Sequence, residues 1–176
     1  LALGLIGLTE AIPAIGNALY GGYVADKSEK RTMMVLYISL YTLMCVLLLF
    51  FTHTSTIASI GNKKVLFIIF AAIFFTGIAR SFYSPASFGL VAQLLPREMY
   101  QNAVIWSSAA WQSGAVLGPA FGGILLGKLG ITNAFIIIII FLGIAIFCLL
   151  KIEKKPIQYV PKEESIFESV SQGLKF

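Results

Sequence analysis

The sequence predicts an all-α membrane protein, a helical transmembrane bundle that crosses the lipid bilayer several times. Of its 176 residues, 58% are hydrophobic and only 12% are charged, whereas about 25% are charged in an ordinary soluble domain. The apolar residues also form runs that are long enough to span the hydrocarbon core, which takes roughly 20 residues of helix. Because lipid offers no hydrogen-bond partner to the backbone, each run is predicted to be helical.

Five segments have the required length and composition: 1–25, 32–52, 65–95, 102–126 and 132–150. The third is about ten residues longer than a straight crossing needs. Pro85 lies inside this segment, which predicts a kink, a tilt or an extension beyond the membrane. Gly61, Pro96 and the short stretch 127–130 mark turns between the later spans.

Residues 151–176 have a different composition and predict the start of a cytoplasmic linker. The first part is polar and contains Pro156 and Pro161. Ser165 and Glu168 then have the spacing of a helix capping box. Apolar residues recur every four positions after Ser165, so we expect a short amphipathic helix there.

Charge at the ends of the spans predicts how the chain is oriented. With the first loop placed in the cytoplasm, nine Lys and Arg residues fall on that side and three on the other, and Arg80 lies inside a span. This bias follows the positive-inside rule, so the net charge of +5 indicates topology and not a nucleic-acid partner. In this orientation residue 1 lies at the outer face, and we expect at least one further span before it. The cytoplasmic set is Lys27, Lys30, Arg31, Arg97, Lys151, Lys154, Lys155, Lys162 and Lys175, and the outer set is Lys63, Lys64 and Lys128.

The turn between the first two spans, here called the charged loop, contains Gly22, Asp26, Lys27, Lys30 and Arg31. A carboxylate stabilises the N-terminus of a neighbouring helix, and bases stabilise helix C-termini. Such a cluster can therefore act as a conformational latch, meaning that it is paired in one state and released in another. A solvated turn that obeys the positive-inside rule is the simpler alternative.

The spacing in the charged loop resembles a motif of the major facilitator superfamily, found between the second and third helices. That motif reads Gly, three residues, Asp, a basic residue, two residues and two basic residues, and all five members of the charged loop match it. Glu29 stands where the family usually has Gly. The resemblance implies that the charged loop is a latch.

A second pattern lies in the fourth span. Gly114, Gly118 and Gly122 recur every four residues and so share one helix face. Small residues at this spacing let two helices approach closely, and close packing alone is one interpretation. With Pro119 and Gly123, the segment also resembles the Gly-Pro-x-x-Gly-Gly signature in the fifth helix of the superfamily's exporter branches.

Counted from these two motifs, the five spans are similar to helices two to six of the superfamily. The resemblance implies that the chain is part of the six-helix N-terminal half of a twelve-helix transporter, whose C-terminal half is a further partner. Segments 77–86 and 95–98 look like the multidrug, macrolide and siderophore efflux branch, and most like its enterobactin-exporter-like proteins of bacteria. A location in the bacterial inner membrane, with residues 151–176 in the cytoplasm, is implied as well.

The implied function is secondary active transport by alternating access. We expect proton-coupled efflux of a small amphipathic molecule, with membrane lipid around the bundle. An importer or facilitator of the same superfamily is one alternative. A non-transporting membrane module, such as an assembly factor or receptor, is another.

Glu10 and Arg80 fall near mid-depth of their predicted spans. A charge at the bilayer centre costs at least about 2.5–3.5 kcal/mol on insertion scales, so it usually faces a partner or a cavity. We expect the two residues to share a polar pocket, where Glu10 takes up and releases protons while Arg80 tunes it or binds an anionic group. A fixed ion pair, or a glutamate kept protonated by burial, is the structural alternative.

Three other residues are candidates for lining a cavity: Asn17, Trp111 and Gln112. The sequence has no Gly-rich phosphate loop, no nucleophile elbow and no carboxylate pair set for hydrolysis, and its Cys and His residues lack metal-ligand spacing. We therefore expect no enzymatic activity, no metal and no cofactor.

Overall fold

The computed structural model describes residues 2–52, 56 and 61–154, and within these ranges the chain is almost entirely helical. Gly130 interrupts the last helical segment, because its φ of 77° and ψ of 169° are not helical. We name the two parts α5 (100–129) and α6 (131–151). The elements are α1 (Ala2–Gly16), α2 (Ala18–Lys27), α3 (Lys30–Phe51), α4 (Asn62–Leu94), a 3-10 turn (Arg97–Met99) and the segment Tyr100–Lys151 that contains α5 and α6.

The predicted all-α class is confirmed, since the described ranges contain no strand. Three stretches of the described residues are long and apolar enough to cross a bilayer: Lys30–Phe51, Lys63–Leu94 and Arg97–Lys151. The last stretch has 55 residues, which is long enough for two crossings. It covers the fourth and fifth predicted spans.

The first predicted span, 1–25, corresponds to two helices and not to one. They meet at Asn17, whose φ of −97° and ψ of 1° leave the helical region. The Asn17 side chain donates from Nδ2 to the Pro13 carbonyl at 2.9 Å. This local bond stabilises the break between α1 and α2, because it holds the amide against the preceding turn.

Helix α4 is the centre of the bundle and packs against α1, α2 and α3, while α3 also packs against the Tyr100–Lys151 segment. Four small or medium apolar residues, Val65, Ala72, Ala79 and Ala86, are buried along α4 at intervals of seven. A seven-residue repeat keeps one face of a helix toward its neighbours. Small residues on that face let the helix backbones approach closely, as is typical inside membranes.

One end of the bundle joins α3, α4 and α6 through a cluster of Met34, Ala86, Leu90 and Leu149. The charged loop lies at the same end, because α3 begins there. The outward faces of the helices are apolar, as shown by Phe67 (75% exposed) and Phe141 (68% exposed). Apolar surface on this scale suits a lipid environment.

Two predictions lie outside the described residues. They are the amphipathic helix after Ser165 and most of the cytoplasmic linker, which fall in 155–176.

Candidate functional site

The structure brings Glu10 of α1 and Arg80 of α4 together as an ion pair. Arg80 Nη1 donates to Glu10 Oε1 at 2.5 Å, and the two side chains are 51% and 37% exposed, respectively. A pair that is half accessible can exchange partners with water, a proton or a ligand. The geometry therefore allows the ion pair to be either structural or functional.

Two glycines, Gly21 and Gly77, hold α4 against the first two helices. A Cβ atom on Gly77 would lie 2.5 Å from the Glu10 carbonyl oxygen, and one on Gly21 would lie 2.5 Å from the Ser81 carbonyl oxygen. No side chain fits at such a distance. Gly77 therefore sets the close approach of helices that places Glu10 beside Arg80.

A cleft of about 510 Å³ opens between α4 and α5, and Arg80 lies in its wall. Trp111 and Gln112, both predicted to line a cavity, are also in this wall, whereas Asn17 lies at the α1–α2 junction. The four serines of the cleft could not be predicted from the sequence, because serine alone has no spacing signal. The lining residues are Arg80, Tyr83, Ser84, Ser87, Phe88, Val91, Ala103, Val104, Ser107, Ser108, Trp111 and Gln112.

The basic residues of the charged loop contact helix ends. Lys30 is buried, and its Nζ donates to the Ala25 carbonyl in the last turn of α2. Arg31 reaches α6, where Nε donates to the Leu149 carbonyl at 3.0 Å and Nη2 to the Leu150 carbonyl at 2.8 Å. Both side chains thus place a positive charge at the C-terminal turn of a helix, where the carbonyls carry partial negative charge. The Ala25 and Leu149 carbonyls also accept a backbone N–H each, from Ser28 and Ile152 respectively.

The remaining members of the charged loop are more open. Asp26 is exposed in the last turn of α2, and Lys27 donates to the Tyr23 hydroxyl while its ammonium lies 4.3 Å from the centre of the Tyr23 ring. A Cβ atom on Gly22 would meet nothing within 4 Å. Asp26 is therefore accessible to a partner that approaches this end of the bundle.

The departure from the motif at Glu29 has little conformational consequence. Its φ of −70° and ψ of 117° are extended values that any residue adopts, so this position does not require glycine. Thr32 Oγ1 donates to Glu29 Oε2 across the first turn of α3. The second carboxylate oxygen, Oε1, is buried and has no partner within the described residues.

The glycines of the fourth span lie on the exposed part of α5. Cβ atoms added to Gly114, Gly118, Gly122 or Gly123 would meet nothing within 4 Å. Pro119 lies within the same continuous helix. Their role in close helix packing stays a prediction, because no described element faces them.

No group of three or more Asp, Glu, His or Cys side chains that could hold a metal ion is present in the part of the chain that the structure describes. Cys45 and Cys148 both carry free thiols. The chemistry available at the site is therefore that of an ion pair and a hydroxyl-lined cleft.

Similarity to known proteins identifies the family of the chain. The sequence pattern of the Major Facilitator Superfamily matches residues 1–176. A protein of Citrobacter koseri named as multidrug resistance protein MdtD is 31% identical over 105 residues, which cover 60% of this chain and 20% of that relative. The match thus spans about a fifth of the relative's length. No solved structure gives a significant match. The chain therefore belongs to the Major Facilitator Superfamily of membrane transporters, and it is a multi-pass integral protein of the bacterial inner membrane.

Proposed function

We propose that this chain forms part of a proton-coupled secondary transporter that exports a small amphipathic molecule by alternating access. In the whole transporter, a second half of six helices would enclose the substrate together with this one. Family membership supports transport in general. Export is supported by the resemblance of segment 114–123 to exporter branches and by the name of the Citrobacter koseri relative.

The observation that carries the proposal is the half-exposed ion pair between Glu10 of α1 and Arg80 of α4. When Glu10 is ionised, each charge balances the other. When Glu10 binds a proton, Arg80 keeps its charge and needs a new partner, because a guanidinium does not deprotonate in proteins. The pair therefore has two states that differ by one proton, and each state can favour a different conformation of the surrounding helices.

The charged loop supplies the second element of the proposal. Arg31 ties the start of α3 to the end of α6, while Asp26 is exposed beside it. We place this end of the bundle in the cytoplasm, as the distribution of Lys and Arg indicates. There Asp26 would pair with the second half of the transporter in one conformation and release it in the other.

The test is transport by the full-length protein in proteoliposomes under an imposed pH gradient. We expect Glu10→Gln and Arg80→Ala each to lower proton-coupled flux at least about tenfold, because a charge without its partner disfavours one of the two states. Glu98→Gln and Arg97→Ala are matched controls, since both residues are exposed at the 3-10 turn. Wild-type flux in both site variants would overturn the proposal.

The same assay separates the alternatives. An importer would move substrate into liposomes from the opposite face, and a facilitator would move it without a pH gradient. A non-transporting module would show no substrate-dependent proton flux in either orientation.

A further inference from the structure

We propose that the end of α6 binds one anionic phospholipid, whose phosphate is held by Lys151 and Arg31 and whose acyl chain follows the exposed face of α6. This site is on the outside of the bundle, and none of its residues lines the cleft between α4 and α5 or belongs to the ion pair. Its ligand is a component of the membrane and not a transported molecule. The lipid can therefore bind whether or not the chain transports a substrate.

An apolar stripe on α6 forms the part of the site that faces the hydrocarbon. Ile140, Ile144 and Phe147 are each more than half exposed. Their spacing of four and then three residues places them on one face of the helix, and Lys151 continues this face four residues further on. From Ile140 to Lys151 the stripe is roughly 16 Å long at a rise of 1.5 Å per residue. This length is about that of one leaflet, half of the roughly 30 Å hydrocarbon core, so an acyl chain can lie along it.

Lys151 ends this stripe with a positive charge. Its ammonium lies 5.2 Å from the centre of the Phe147 ring, so the side chain turns back toward the preceding turn of the helix, as helical side chains do. No acid and no hydrogen-bond acceptor for this ammonium is present among the residues that the structure describes. A cation beside an exposed apolar ring at the membrane edge needs an anion, and lipid phosphate is the anion that the bilayer supplies at this depth.

Helix α3 brings a second cation to the same end of α6. Arg31 donates from Nε to the Leu149 carbonyl at 3.0 Å and from Nη2 to the Leu150 carbonyl at 2.8 Å. Its charge offsets the partial negative charge of these carbonyls, which would otherwise repel a phosphate. Nη1 of Arg31 has no acceptor in the described part of the chain. It can therefore donate to a phosphate oxygen while the bonds to α6 are kept.

The charge of this region selects an anionic lipid over a zwitterionic one. Lys154 is exposed three residues beyond Lys151, and Glu153 is the one acid among residues 149–154. Together with Arg31, the bases exceed the acid. They would repel the ammonium group of a zwitterionic headgroup, whereas an anionic headgroup adds only the negative charge of its phosphate. The tighter ligand is therefore the lipid without an amine.

Lipid binding to the purified full-length protein in detergent micelles tests the site, with native mass spectrometry to count the bound lipid molecules. We expect dioleoyl phosphatidylglycerol to bind at least about fivefold more tightly than dioleoyl phosphatidylcholine, which has the same acyl chains. Lys151→Gln should remove most of this preference, and Lys151→Arg should retain it because the charge is kept. An equal preference in the wild-type protein and in Lys151→Gln would overturn the proposal.

Lys128→Gln is the matched control, because Lys128 is an exposed lysine beside the opposite end of α6. Without added lipid, Lys128→Gln and both Lys151 variants should unfold at the wild-type temperature, which shows that they fold. Phosphatidylglycerol should raise the wild-type midpoint by about 2 °C or more relative to phosphatidylcholine, because a ligand of the folded state stabilises it by mass action. This rise should persist in Lys128→Gln and be absent in Lys151→Gln. Equal losses in the two glutamine variants would overturn the site.

Two further measurements identify what occupies the face. Glycerol phosphate has the phosphate without acyl chains, and we expect it not to displace phosphatidylglycerol at about a hundredfold excess, because the stripe contributes to binding. Displacement would assign the site to a soluble phosphate compound and would overturn the proposal. A second copy of the chain is the other occupant of comparable shape. Dimers that are lost in Phe147→Ala and that bind no phosphatidylglycerol would assign the face to that copy instead.

Discussion

Arg31 holds the end of α6 through the backbone of Leu149. Its Nε donates to the Leu149 carbonyl at 3.0 Å, and Nη2 donates to the next carbonyl, that of Leu150, at 2.8 Å. Arg31 and Leu149 are 118 positions apart, so the contact joins the start of α3 to the end of α6. The positive charge also lies at the negative end of the α6 dipole.

Replacing Arg31 with Met should therefore destabilise the bundle. We expect the free energy of unfolding to fall by about 1–2 kcal/mol, because two charge-assisted hydrogen bonds to a helix end are lost. Arg31→Lys should recover only part of this, since an ammonium lacks the planar fork that donates to two carbonyls together. Unfolding of the full-length protein in detergent micelles measures the change. Arg97→Met is the control, and equal stability of the Arg31 and Arg97 variants would contradict the role of Arg31.

Gly77 should be intolerant of any side chain. A Cβ atom there would lie 2.5 Å from the Glu10 carbonyl oxygen and 2.9 Å from Cγ of Pro13. We expect Gly77→Ala to cost about 1–3 kcal/mol, because helices α1 and α4 have to separate. Gly143→Ala is the matched control in α6, where nothing lies within 4 Å, and it should be neutral or stabilise by up to about 1 kcal/mol. The same unfolding measurement compares the two variants. A Gly77→Ala change without loss of stability would show that α1 and α4 are not in close contact.

The long helices could be predicted from the sequence because their length and composition are dictated by the membrane. The predicted span 32–52 became Lys30–Phe51, and 65–95 became Asn62–Leu94. The break within 1–25 could not be predicted in this way. It lies in the backbone angles of one residue, Asn17, whose side chain also bonds to the Pro13 carbonyl, and no charge interrupts the apolar run at that point.

The candidate site was predictable only in part. Charges such as Glu10 and Arg80 are conspicuous in apolar spans, and the need for a partner follows from the cost of burying each one. The partner of Arg31 is a backbone carbonyl, which has no signature in a sequence. The seven-residue repeat of buried residues on α4, which includes Ala79, could not be predicted for a different reason. Almost every neighbouring residue is apolar too, so the buried face does not differ from the others in composition.

Lys30 should stabilise the folded protein through both its charged ammonium group and its aliphatic stem. Its Nζ donates to the Ala25 carbonyl, and its stem covers Gly89, where a Cβ atom would lie 2.8 Å from Cε. We expect Lys30→Met to cost about 1 kcal/mol through the lost hydrogen bond. Lys30→Ala should cost about 2 kcal/mol, because it also leaves a gap.

A double-mutant cycle in the same unfolding assay checks this contact between Lys30 and Gly89. Gly89→Ala should destabilise the wild-type protein, because the lysine stem has to shift. In the Lys30→Ala background the added methyl group should be neutral or stabilising, since it fills the vacated space. Additive effects of the two changes would show that the stem does not pack on Gly89.

The two partners of the ion pair between Glu10 and Arg80 should differ in the cost of their removal. Glu10→Gln leaves Arg80 charged, because arginine does not deprotonate in proteins, and we expect a loss of about 1–2 kcal/mol. Arg80→Gln leaves Glu10, which can bind a proton and become neutral, so the loss should stay below about 1 kcal/mol. The double variant should recover most of the stability that Glu10→Gln loses. Unfolding of all three variants in micelles measures this order, and equal losses in both single variants would mean that Arg80 finds enough water or another partner when Glu10 is neutral.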